Sequence, residues 1–316
     1  MHIITILKLF NNARGINCYT FNMKKYILLF SLFASVGVLA GNEEVRNFVI
    51  TQFRAIVDPL FEKGESTQPK FDEFYIGMVA NLPPQKRAQQ SLEMAINRFT
   101  GATDYIIEHA QSWRSDIETN PRLESLTTTA LNSPLIEIRM AGFELYLAQY
   151  NLEKSSKQID FLLQQYERNP EKNAAGSLWA MAAIAARGID RERVYDEIIA
   201  ATENENVKIR RGAVEALARF GGQEIIEPLL YIARNDASPY IQERAFCGLA
   251  QTGTLQVVER YDALPGLLQT LRDPYTTDQQ QGWVYQALKE ISTFYDVPEN
   301  PDDWQQRLLE VGMLKR

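Results

Sequence analysis

Three stretches of this chain repeat one another column by column: IRMAGFELYLAQY (138–150), IRRGAVEALARFG (209–221) and IQERAFCGLAQTG (241–253). Gly142, Ala213 and Ala245 share one column, Phe143, Val214 and Phe246 the next, and Tyr146, Leu217 and Leu249 a third. SLWAMAAIAARG (177–188) joins them through Ala180, Ile184 and Gly188. A looser member, GWVYQALKEIS (282–292), follows a longer insertion. Ala180 and Ala213 lie 33 residues apart, Ala213 and Ala245 32 apart. A period of that length is one supersecondary unit, which cannot bury its apolar face alone and must stack on its neighbours.

Partner helices are read between the repeats, at 158–167, 194–202, 224–234 and 266–273. The small residues of the repeated helix allow close approach to its neighbours. Ser133 with Pro134, and Ser238 with Pro239, are each predicted as an N-cap followed by proline at the first helical position. Gly188, Gly221 and Gly253 are predicted to end helices in a left-handed conformation.

On Ile209, Arg210, Ala213, Ala216, Leu217 and Gly221, with the acidic turn 203–206 before them, the chain resembles the HEAT and HEAT-like repeat family. That family includes the short repeats first described in phycobilisome lyases. The resemblance covers residues 121–295 and is most specific over 190–253. One departure is local: Glu or Asn replaces the usual Asp of Asp-x-x-x-Val-Arg, and Lys208 follows Val207. The resemblance implies an all-α solenoid of antiparallel helix pairs, with the second helix of each pair innermost and lining a binding surface.

Upstream, apolar residues at three-to-four spacing predict helices over 45–61, then through Phe71, Phe74, Tyr75, Met78, Val79 and Leu82 as far as Pro83 and Pro84. Two more are predicted, through Ala88, Leu92, Ala95, Ile96 and Phe99 up to Gly101, and through Tyr105, Ile106, Ala110 and Trp113. Downstream, Asn300 and Pro301 open a capping helix carrying Trp304, Leu308, Leu309 and Val311, with Asp302 and Asp303 at its positive end.

The segment 23–40, MKKYILLFSLFASVGVLA, places Lys24 and Lys25 ahead of a short apolar run and small residues, which reads as an export signal. The run is too short to span a bilayer comfortably, which takes about 20 residues. Asn42 stands where a lipoprotein motif needs an acylated cysteine, so no lipid anchor is expected. The partition is therefore 1–22 upstream sequence, 23–40 signal, 41–118 helical hairpins, 119–295 repeats and 296–316 cap. Removing 1–40 takes away four basic residues and no acid, leaving 29 basic against 40 acidic and a net charge of −11. Such a surface argues against nucleic acid as partner. No stable membrane insertion is expected after signal removal, and the periplasm or the medium is the expected location.

No Gly-rich phosphate loop, serine elbow or metal spacing is present, and His109 is the one histidine beyond residue 40. It reads as a packed or edge residue between Ile106 and Trp113. Cys247, one lone thiol beyond residue 40, takes the column of Glu144 and Glu215, expected outside the apolar arc. No catalytic residue, cofactor or metal ligand is assigned. Tyr240, Tyr261, Tyr275, Trp283 and Arg210 are the candidate partner-binding residues. Two of these, Tyr261 and Tyr275, lie in the non-repeating insertion 254–281. Of Trp179, Tyr231, Tyr240, Trp283 and Tyr285, at most two are expected to be exposed, the rest being core. The expected function is a non-catalytic scaffold that binds a protein or peptide. The rival is a hydrolase built on two convergent carboxylates, drawn from Glu192, Glu197, Glu203, Glu205, Glu224, Glu227, Asp236 and Glu243. Export predicts a mature chain beginning near Gly41, read by intact mass of the secreted or periplasmic protein. A mass that retains residues 23–40 overturns it.

Overall fold

Helix starts follow the capping chemistry. Asn120, Ser155, Asn169, Asn206, Thr277 and Asn300 each accept a backbone N–H of the first turn on a side-chain oxygen. Pro121, Pro170 and Pro301 follow three of them, where a missing N–H costs nothing. The computed structural model describes residues 68–314; residues 1–22, the signal segment and the helix predicted over 45–61 lie outside them.

Three helices come first: α1 (Glu73–Ala80), α2 (Pro84–Ile96) and α3 (Ala102–His109), the last continued by a 3-10 turn, Ala110–Trp113. Pro83 and Pro84 end one helix and start the next. Five antiparallel pairs follow. They are α4 (Pro121–Leu131) with α5 (Ile136–Gln149), α6 (Ser156–Arg168) with α7 (Pro170–Ala185), and α8 (Arg191–Thr202) with α9 (Val207–Phe220). Next come α10 (Ile226–Asn235) with α11 (Pro239–Ala250), and α13 (Leu264–Arg272) with α14 (Asp278–Ser292). The short α12 (Val257–Arg260) precedes the fifth pair, and α15 (Pro301–Glu310) closes the row. No strand occurs among the described residues, only an isolated bridge between Lys70 and Thr100. No described helix is long and apolar enough to cross a membrane. The fold is an all-α solenoid of helix pairs.

The second helix of each pair lies inside. Of α7, every residue from Ser177 to Ala185 is buried, whereas α6 buries only Ile159 and Leu162. Two apolar cores meet on α5: Ile138, Ala141 and Leu145 join the first, with Leu92, Ile106 and Trp113, while Phe143 and Leu147 join the second, which runs to Leu308. Trp304 and Leu308 of α15 close that second core, but Val311, predicted beside them, is exposed. Small residues set the helix spacing. A Cβ on Gly212 of α9 would lie 3.0 Å from the Ala175 nitrogen and 3.1 Å from the Ala174 carbonyl carbon of α7, so the two backbones are nearly in contact. Gly142 of α5 meets α4 likewise, with Ala130 Cβ 2.9 Å from the position of an added Cβ.

Two predicted starts differ. α5 begins at Ile136 and not after Ser133, because Ser133 Oγ accepts the Leu135 N–H (3.2 Å) and its carbonyl accepts Arg139 Nη1 (2.7 Å), holding Leu135 extended. α11 does begin at Pro239, but Ser238 caps nothing; Asp236 Oδ1 instead accepts the Ser238 N–H (2.7 Å). Gly188, Gly221 and Gly253 all have positive φ. Gly253 also has no room for a Cβ, which would overlap the Ala218 carbonyl.

That close approach belongs to a clamp. The Thr254 N–H donates to Ala218 O (3.1 Å) and Thr254 Oγ1 to Arg219 O (2.9 Å), while Arg139 Nε donates to Gly253 O (2.9 Å). The row is thus wound tightly enough that its first pair bonds the segment following its fourth. Overpacking the α7/α9 contact is the sharpest test of this spacing. Gly212→Leu is expected to cost about 3 kcal/mol, a fall of roughly 6–12 °C in Tm for a domain of this size. Ala213→Trp is expected to be at least as damaging; an unchanged melting temperature in both overturns the placement.

Candidate functional site

Because α5 and α7 are wrapped by the chain, the surface left open on the inner helices is mostly that of α9, α11 and α14. Lys208, Arg211, Glu215 and Arg219 recur along α9 at helical spacing and keep solvent contact, as do Tyr240, Glu243, Arg244 and Cys247 along α11. The two rows touch: the Arg211 guanidinium lies over the Tyr240 ring, 4.8 Å from its centroid. Arg211 also pairs with Glu215 (3.4 Å). Trp283 of α14 is half-buried, its ring 6.2 Å from that of Phe246.

At the other end of this face a tilted aromatic pair carries Arg219, and Arg244 lies in the field of that arginine. Tyr146 and Trp179 have ring centroids 4.0 Å apart, and Arg219 lies over Trp179 at 5.4 Å. Burial pushes the Tyr146 phenol up to about 12, with Tyr150 adding to it. Burial pushes Arg219 down to about 10, with Arg244 beside it acting in the same direction and Glu215 opposing. Arg219 stays cationic at neutral pH. Arg219 Nη1 donates to Glu215 O (2.8 Å), but its Nε is buried without a partner. The Arg244 Nε is likewise buried and unpartnered. Neither arginine has an ion pair with any described residue.

The structure separates the five candidate residues. Tyr240, 44% exposed, and Trp283 fall on this inner surface. Tyr275, 90% exposed, projects from the loop between α13 and α14. Tyr261 is half-buried against the core in the 3-10 turn that leads into α13. Arg210 is clasped in the α10–α11 turn: Nε and Nη2 donate to Asp236 (2.8 and 3.2 Å), and Nη1 to Asn204 O (2.9 Å) and Glu205 O (3.0 Å). Its bonds to Asp236 raise its pKa, and Asp236, grouped above with the candidate hydrolase carboxylates, is tied down. Of the five aromatic residues expected to be mostly core, Tyr231 and Tyr240 are exposed, while Trp179 and Tyr285 are buried and Trp283 is half-buried.

Arg219, Arg244 and Tyr146 did not stand out as site residues. A weak signal did exist: Arg244 shares a column with Ala141, Trp179 and Gly212, and Arg219 one with Ala148, Ala186 and Gln251, so each is the one charged residue of its column in these four repeats. The column of Glu144, expected outside the apolar arc, is buried in α5, where Arg187 (2.8 Å) and Lys154 (3.0 Å) both hold the carboxylate. In the same column Cys247 is half-buried, and burial raises its thiol. His109 stacks on Tyr105, centroids 4.4 Å apart, as an edge residue. No group of three His, Cys, Asp or Glu placed to hold a metal occurs among the described residues.

Residues 159–250 match the family model of HEAT repeats. A search of curated proteins returned no match. The matched HEAT segment runs from Ile159 in α6 to Ala250 at the end of α11, the three central pairs. It contains Arg210 with Asp236 and the α9/α11 face, but not the clamp that follows. Within the HEAT segment the pair of Arg210 and Asp236 bonds one repeat to the next turn. Asp236→Asn leaves a poorly exposed guanidinium uncompensated and is expected to cost about 3 kcal/mol, measured by urea denaturation. A loss near zero shows that the pair does not tie the repeats.

Proposed function

We propose that this chain is an exported, non-catalytic scaffold that holds a protein or peptide on the inner face of α9, α11 and α14. HEAT-like repeats generally serve protein–protein scaffolding, and the observation that carries the reading here is the composition of that face. It offers Arg211 on Tyr240, an unpartnered Arg244 and the half-buried Trp283 on rigid helices. Tryptophan, tyrosine and arginine are the residues that dominate binding energy at protein interfaces. Rigid helices also reduce the ordering cost of association. A signal-like segment at 23–40 supports export.

The carboxylate-hydrolase reading asks for two acids converging on one cleft. The deeply buried carboxylates instead sit in structural pairs, Glu144 between Arg187 and Lys154 and Asp236 against Arg210. No geometry favours that reading. Affinity capture from a periplasmic extract discriminates, with the bound protein identified by mass spectrometry. The combined Tyr240→Ala and Trp283→Ala variant is expected to lose the partner, while Tyr275→Ala, outside the face, keeps it. A partner retained by the double variant moves the site elsewhere. Hydrolytic turnover abolished by Glu144→Gln at unchanged Tm replaces the scaffold with an enzyme.

A further inference from the structure

Arg219 and Arg244 pose a physical problem that the fold does not solve. A half-buried guanidinium normally finds a carboxylate or a set of carbonyls. Arg260 shows how this chain does it: buried, it donates to the carbonyls of Gly248 (3.2 Å), Leu249 (2.6 Å) and Thr252 (3.0 Å). Arg210 has its aspartate and two carbonyls. Arg244 has no hydrogen bond or ion pair with any described residue, and Arg219 has one carbonyl and the face of Trp179. The two cations also repel each other, since each lies in the field of the other. Glu215 and Glu243 are the carboxylates that act on this neighbourhood, Glu215 is already paired with Arg211, and neither is ion-paired with Arg219 or Arg244.

We infer that Arg219, over the Trp179 ring, and Arg244 form a clamp for one carboxylate of an acidic peptide. This inference rests on the scaffold reading above and specifies its ligand. An anion supplies the charge partner that neither arginine has among the described residues. A planar carboxylate meets the fork of guanidinium donors edge to edge, and the aromatic neighbours favour an apolar residue next to it in the peptide. The net negative charge of the whole chain does not oppose this at contact, because charges farther off than about 8 Å are screened at physiological salt. An acidic partner contrasts with the basic or mixed one that the overall charge suggests.

Calorimetric titration of the purified protein tests it with three acetylated, amidated peptides in which phenylalanine alternates with glutamate, glutamine or lysine. Inorganic phosphate is a fourth probe. The glutamate peptide is expected to bind at least about tenfold more tightly than the glutamine peptide, as a charge-assisted bond in a half-buried site gives. Arg244→Gln is expected to remove that difference at an equal or higher Tm, because the side chain gives up no bond and a repulsion is relieved. Arg219→Gln supplies the second variant, and if it fails to fold, Arg244→Gln decides alone. Equal binding of the glutamate and glutamine peptides, preference unchanged in Arg244→Gln, or phosphate displacing the peptide at equal concentration each overturns the clamp. If only the lysine or glutamine peptide binds, and Tyr240→Ala abolishes it, the clamp fails while the scaffold reading stands. If no peptide binds, the clamp fails too, and the capture experiment judges the scaffold alone.

Discussion

The approach of α7 and α9 at the Gly212 contact fixes much else in this molecule. With a hydrogen in place of a side chain, the α9 backbone rests against Ala174 and Ala175, leaving no room for polar side chains between the inner helices. Ser177 to Ala185 are accordingly buried without a break. The amphipathic work then falls to the outer helices, and α6 and α10 show it, with one apolar stripe each and polar outer surfaces that still leave Phe161 and Tyr231 exposed. Charged residues of the inner helices can emerge only at the edges of that packing. On α9 and α11, Lys208, Arg211, Glu215, Arg219, Glu243 and Arg244 emerge in this way along one strip.

Tight winding has a second consequence. Arg139 reaches from the first pair to Gly253, and Thr254 closes on the end of α9, so the segment after α11 is a strut across the row and not a free connection. Arg260 completes the strut by taking up the last carbonyls of α11, where a helix end favours a cation. Burial lowers the pKa of Arg139 and Arg260, the latter to about 10, yet both keep their charge at neutral pH. The insertion is open at α12, where Val257 and Val258 are exposed, and again past α13, at Tyr275.

How much of this was legible in the sequence depends on the range of the interaction. The five pairs, the inner position of the second helices and the glycine stops follow from a periodic pattern, and each is a local or nearest-neighbour property. The start of α5 was misplaced because Ser133 answers to Arg139 and to its own turn, a competition no dipeptide pattern reveals. Arg210 was placed among partner-binding residues because its partner, Asp236, lies in the next repeat unit. Glu144 looked solvated because its column is exposed in a row with one free side, whereas α5 is covered on both. The bond from Arg139 to Gly253 depends on superhelical winding, which is a sum of small rotations and leaves no mark in any single column.

The two unpaired arginines follow the same logic in reverse. Arginine at these two positions adds charges that no described carboxylate pairs, and burial desolvates that of Arg219. Trp179 offsets part of it for Arg219 through its ring face. Arg244 has no such offset, and it lies in the field of another cation, Arg219 of α9. A side chain that the fold gains nothing from and does not neutralise is a cost of the free protein alone. In a complex with an anionic partner the same charge becomes an attraction, and the desolvation has already been incurred before the partner arrives. On that argument the proposed anion clamp, and not the shared repeat, is where the specificity of the scaffold would lie.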